Sequence, residues 1–202
     1  LISNRLAAAS EGDDTVLNSL QRITAALDDR VGLGIYECPH PYKRLLSDDI
    51  VRWCAASGRY TFIKDTCCQI DTIKRRLELI RGSRVHLANA NGQTLLASLQ
   101  AGAHGYSGVM ANFHPELYVW LCKHWQDAPE KARIVSDYLA TASLAESLDY
   151  PICAKDYQVS IGNFRTATSR TRDPAQYYSA HFATNTQQMV RLGETLKTLL
   201  AL

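Results

Sequence analysis

The amino-acid sequence predicts an α/β fold: five βα units on a parallel sheet, followed by an all-helical stretch. Short β-branched and aromatic runs alternate with amphipathic helical runs from residue 1 to about residue 123. Beyond Asp127 the β signal stops. The 202 residues, 46% hydrophobic and 21% charged, suffice for one sizeable core.

Taken in order, Leu1 to Asn4 reads as the end of a strand, and the absence of a methionine there suggests that something precedes it. Asp13 or Asp14 is placed to cap a helix with Val16, Leu17, Leu20, Ile23 and Leu27 on one face. Val31-Gly32-Leu33-Gly34-Ile35-Tyr36 is the next strand, and Ser47 an N-cap for a helix from Asp48 to about Ala56. The strand 60–66 precedes a helix near Ile70–Ile80, whose Arg75, Arg76 and Arg81 read as a solvated face; Arg81-Gly82 reads as the helix end followed by a glycine C-cap. Val85 to Asn89 is a strand and Thr94 to Gln100 a short helix. Gly105 to Met110 is the last strand, and Pro115 to Trp125 starts the helices. Further helices run from Pro129 to about Leu148, around Cys153–Gly162, and from Pro174 to Leu202.

A formal net charge of +2 with scattered Lys and Arg argues against nucleic acid or an anionic membrane as partner. No apolar run approaches the roughly 20 residues that span a bilayer, and no signal peptide is visible. Six cysteines without a CxxC pair or zinc-site spacing read as reduced thiols of a cytoplasmic protein, with no metal. Vicinal Cys67-Cys68 are compatible with a redox pair but fit better as small buried hydrophobes just past a strand.

The chemistry-bearing feature is Lys64, near the end of Tyr60-Thr61-Phe62-Ile63-Lys64-Asp65-Thr66, with Tyr36 28 positions earlier near the end of its own strand. Burial at the end of an apolar strand disfavours the ammonium and favours the neutral, nucleophilic amine. Taken alone, such a lysine is usually solvated. The paired tyrosine gives it a context for Schiff-base chemistry.

Five parallel strands fit either an open doubly wound sheet or the later part of an eight-stranded barrel. The first predicts a glycine-rich phosphate loop after the first strand, and Leu1-Ile2-Ser3-Asn4-Arg5 offers none, which favours the barrel.

Four motifs in order carry a resemblance. Tyr36-Glu37-Cys38-Pro39 and Phe62-Ile63-Lys64-Asp65-Thr66 are two of them. Ala101-Gly102-Ala103-His104-Gly105-Tyr106-Ser107-Gly108-Val109-Met110-Ala111-Asn112 and Tyr150-Pro151-Ile152-Cys153-Ala154-Lys155 are the others. Together they resemble the pyruvate-dependent class I aldolases of the dihydrodipicolinate synthase and N-acetylneuraminate lyase group. The resemblance implies that residues 1–126 are the C-terminal five βα units (strands 4–8) of a (β/α)8 TIM barrel, that residues 127–202 are its C-terminal helical region, and that about three βα units are absent upstream.

It further implies a Schiff-base-forming aldolase, lyase or related hydro-lyase acting on pyruvate or a 2-oxo sugar acid, without a cofactor beyond the covalent imine on Lys64. Tyr36 would relay protons. Thr66 would hydrogen-bond an aldehyde-side hydroxyl or serve only as a structural β-branched residue. Ser107 and Gly108 would approach bound pyruvate, and Asn89 and Asn91 the variable end of the substrate. A homotetramer is implied as well. His104 and His114 are rejected as general bases, because His104 precedes its strand and His114 caps the next helix; Asp65 is expected in a structural ion pair. Where the synthase branch has an arginine to grip a second carboxylate, this chain has Pro41 in His40-Pro41-Tyr42-Lys43, which argues against a lysine-biosynthesis synthase. The competing expectation is a non-catalytic barrel relative that binds a 2-oxo acid as a sensor or serves as a structural subunit.

Overall fold

A computed structural model describes residues 1–171, 173 and 179–202. It divides into two compact units, Leu1–Ser107 and Gly108–Leu202. The helix at 115–124 packs with helices that follow it in the second unit.

The first unit is built of α1 (Asp13–Ala26), β1 (Leu33–Tyr36), α2 (Asp48–Ala56), β2 (Tyr60–Asp65), α3 (Ile70–Leu79), β3 (His86–Asn89), α4 (Leu95–Gln100) and β4 (Gly105–Tyr106). The described strands form one parallel sheet in the order β1-β2-β3-β4. Ser47 caps α2 as expected, its hydroxyl accepting from Ile50 N at 3.4 Å. At α1 the N-cap is Gly12 and neither aspartate caps; Asp13 and Asp14 lie in the first turn, where their charge complements the helix dipole.

Three expected strands differ. Leu1–Asn4 contributes only an isolated bridge from Ile2 to Tyr36 and turns into a 3-10 helix at Ser3–Arg5. Its side chains bond elsewhere: Ser3 Oγ donates to Arg44 O, and Asn4 Nδ2 lies 2.7–2.8 Å from the carbonyls of Cys38, His40 and Tyr42. The last strand stops at Tyr106, and Val109–Asn112 is a 3-10 helix. In β2, the pairing shifts between Leu33↔Tyr60 and Gly34↔Phe62. This bulge puts Tyr60 with Leu33 on the buried side, where plain alternation from Lys64 would have exposed it.

Alternation then gives the sheet two unlike faces. Ile35, Ile63 and Leu87 are in register and buried, packed with Val16, Leu20, Ile50, Val51, Cys54 and Ile73 from the helices. Each such side chain contributes about 1.5–3 kcal/mol of burial. The other face carries Gly34, Phe62 and His86 in one row and Tyr36, Lys64, Ala88 and Gly105 in the next. It is open enough that Phe62 remains 39% exposed.

The second unit is helical: α5 (Pro115–His124), α6 (Pro129–Ala142), α7 (Ile152–Ser160) and α8 (Ala180–Leu200). The helix expected to run to about Leu148 ends at Ala142, where Ser143 Oγ bonds back to Ala140 O and a 3-10 helix follows. Pro174, the expected start of the last helix, lies outside the described residues. Gly193 lets α8 lie against His114 and Tyr138, since any Cβ there would collide with both side chains.

Candidate active site

Tyr36 and Lys64 are direct partners across the β1–β2 ladder, so both side chains stand on the open face. Lys64 Nζ lies over the Tyr36 ring, 4.1 Å from its centroid, within cation–π range. Both are half-buried. Gly34 keeps β1 close to β2 beside them: a Cβ there would sit 3.2 Å from Phe62 Cβ.

The residue after each of these two points the other way. Glu37 and Asp65 are wholly buried and converge on Arg76 of α3, itself 1% exposed. Arg76 Nη2 lies 2.6 Å from Glu37 Oε1 and donates to Leu46 O at 2.8 Å; Nη1 bonds Glu37 Oε2 at 3.1 Å and also Asp65 Oδ2. Backbone donors complete the set, Leu46 N and Thr66 N on Glu37 and Cys67 N on Asp65. Burial raises the Glu37 carboxyl above its ordinary range against the pull of Arg76. Burial also opposes the Arg76 cation, but the two carboxylates outweigh it and hold the guanidinium above its usual value.

Asp65 thus makes the ion pair the sequence suggests, whereas Arg76 is not on a solvated face. The sequence does carry a signal for it. Ile73, Arg76 and Ile80 fall at helical spacing on one stripe, and the structure buries all three. Arg75 and Arg81 are exposed as expected, paired with Asp48 and Glu78.

Thr66 lies just beyond Lys64 and ties the same strand ends, its hydroxyl donating to Glu37 O at 2.9 Å. Ser107 donates its backbone N–H to Asn89 O at 2.8 Å, extending the ladder past β4. It follows the strand in which Gly105 pairs with Ala88, the neighbour of Lys64.

Asn89 does not belong to this face. It pairs with Asp65 rather than Lys64, is fully buried, and donates to Thr94 Oγ1 and Ser98 Oγ. Its Oδ1 accepts from Asn91 N, and Asn91 Oδ1 in turn accepts from Thr94 N and Oγ1, so this pair shapes the start of α4. Gly108 opens the second unit as N-cap of the 3-10 helix Val109–Asn112.

The two histidines set aside on sequence grounds lie in other surroundings. His104 Nδ1 accepts from Leu87 N at the entry of β4, and its ring stacks on His86 with centroids 4.4 Å apart. His114 is the N-cap residue of α5 but caps nothing with its side chain; the ring is buried against Tyr157 and Tyr138. Cys67 is buried, with its thiol pushed up to about 12 by burial, while Cys68 is exposed in a left-handed conformation, so only the first is a packed hydrophobe. Among the described residues no three His, Cys, Asp or Glu side chains are grouped to hold a metal. No helix among them is long and apolar enough to cross a membrane.

The chain matches no protein-family model and no curated protein. Among solved structures it is similar to a monomeric dihydrodipicolinate synthase variant, with 20% identity and a TM-score of 0.79 over 94% of this chain and 63% of that one. The dihydrodipicolinate synthase of Thermotoga maritima matches with 20% identity and a TM-score of 0.77, over 91% and 62% of the two chains. YagE, a prophage protein of that family from E. coli K12 solved in complex with pyruvate, matches with 19% identity and a TM-score of 0.76 over 94% and 63%. The chain spans about 63% of the length of the structures it matches. Its parallel α/β unit and C-terminal helices therefore have the fold of the dihydrodipicolinate synthase structures, over a little under two thirds of their length.

Proposed function

We propose that the chain carries the imine-forming half of a pyruvate-type class I aldolase or lyase. The observation that carries this reading is the Lys64 amine held over the Tyr36 ring at the carboxyl end of adjacent parallel strands. That end of the strands is where barrel enzymes assemble their sites. The solved structure of YagE with pyruvate supports a 2-oxo acid as substrate.

The neutral Lys64 amine attacks C2 of the 2-oxo acid, and the carbinolamine loses water to give a protonated imine. Loss of a proton from C3 yields the enamine, whose C3 attacks the aldehyde carbonyl to form a carbon–carbon bond; in the cleavage direction that bond breaks in the protonated imine of the adduct, releasing the aldehyde and leaving the enamine. Tyr36, in contact with Lys64, relays the protons that the carbinolamine gains and loses. Thr66 and the Ser107 backbone flank the substrate, with Gly108 next in the chain. Pro41 carries no donor, so the loop 38–44 offers no arginine-like grip on a second carboxylate at that position. A lysine-biosynthesis synthase is therefore disfavoured, and the aldehyde partner is of another kind. Assembly as a homotetramer in the cytoplasm is part of the same reading.

Exchange of the pyruvate methyl protons with deuterated solvent tests the enamine without requiring the aldehyde. Lys64→Ala should abolish exchange and Tyr36→Phe slow it by about 100-fold. Exchange persisting in folded Lys64→Ala would contradict the mechanism. Pyruvate binding without exchange in the unmodified chain would favour the non-catalytic binder instead.

A further inference from the structure

Arg76 sits where nothing in the imine chemistry needs it, yet its partners are the immediate successors of the two reacting residues. Glu37 follows Tyr36 and Asp65 follows Lys64, and one guanidinium bridges both carboxylates. Glu37 also accepts from Thr66 N beyond Lys64 and from Leu46 N ahead of α2, while Arg76 returns a bond to Leu46 O. One buried knot thus ties the ends of β1 and β2, the loop before α2, and α3. Strand side chains alternate, so a fixed position for Glu37 and Asp65 fixes the direction of Tyr36 and Lys64 on the opposite face.

We propose that Arg76 is a positioning residue: through Glu37 and Asp65 it sets the Lys64–Tyr36 contact from the far side of the sheet. The planar fork of arginine suits this role, since it reaches two carboxylates and a carbonyl at fixed angles; a lysine ammonium supplies the charge without the geometry. The proposal rests on the Lys64 imine for its catalytic consequence, but the contact itself can be read without any substrate.

The test uses the full chain with Arg76→Lys, and with Glu37→Gln/Asp65→Asn/Arg76→Met as a second variant. The triple variant removes all three charges and so leaves none buried alone. The direct readout is the NMR shift of the Lys64 ε-methylene protons, which the Tyr36 ring moves upfield in the unmodified chain. In a folded variant this ring-current shift should fall by about half or more, because the ladder ends are no longer fixed. Pyruvate methyl exchange should slow by about tenfold or more in the same variant, the size of loss that small misplacement of reacting groups produces. A folded variant that keeps both the ring-current shift and the exchange rate would overturn the proposal. If the unmodified chain shows no exchange, the shift still decides: its loss in the variant upholds the positioning role while the imine reading fails.

Discussion

The two faces of the first unit's sheet come from alternate residues of the same strands and have opposite characters. On the helix side Glu37 and Asp65 are buried and matched by Arg76, which also bonds Leu46 O, beside the apolar Ile35, Ile63 and Leu87. On the other side a phenylalanine and a histidine stand in one partly exposed row and a tyrosine and a lysine in the next. Buried ion pairs and apolar packing share one face, and the Lys64–Tyr36 contact stands on the other. The contrast lies one residue along each strand: the carboxylates that follow Tyr36 and Lys64 turn to the helix side and are bridged there by Arg76.

The sharpest way to break that comparison is to remove the cation from the buried side. Arg76→Met leaves two carboxylates facing each other without compensation and should cost about 3–5 kcal/mol in urea unfolding; a change near zero would show that the knot is slack. Ile63→Ala, on the same face and fully buried, should cost about 2–5 kcal/mol by the same measurement.

The rule that burial penalises charge unless it is paired can be tested in the second unit. His114 is 1% exposed; burial pulls its imidazole below the ordinary 6.5, against Glu194 and Glu116 and with Lys197. Because the folded state favours the neutral ring, its contribution to stability is fully present above pH 6.5 and is lost as pH falls through the lowered value. The thermal midpoint of the unmodified chain should therefore fall on acidification from pH 6.5, and the slope should flatten in His114→Gln. An equal slope in the variant would assign the acid sensitivity to another group. The smallest effect belongs to the open face: Phe62→Ser should change stability by no more than about 0.5 kcal/mol, and a large loss would mean that this face is structurally committed.

Much of this arrangement is legible in the residues. The β-branched run around Lys64 and the similar run ending at Tyr36 mark both strands, and their shared direction follows from a parallel sheet. What was not legible depends on register and on competition. Whether Asn89 or Ala88 stands beside Lys64 is decided by a pairing offset that no single strand encodes, and the bulge that buries Tyr60 is likewise invisible in its own alternation. Leu1–Asn4 reads as strand, but the Ser3 and Asn4 side chains bond to the backbone of residues 38–44 instead of leaving the segment to a ladder. Arg76 departs from expectation for another reason: its charge suggests solvent, while its spacing with Ile73 and Ile80 marks the buried stripe.

Imine formation at Lys64 is the central claim. Treatment of the folded chain with pyruvate and borohydride, followed by peptide mass spectrometry, should leave a reduced pyruvyl adduct on Lys64. An unmodified Lys64, or an adduct on other lysines only, would contradict the central claim.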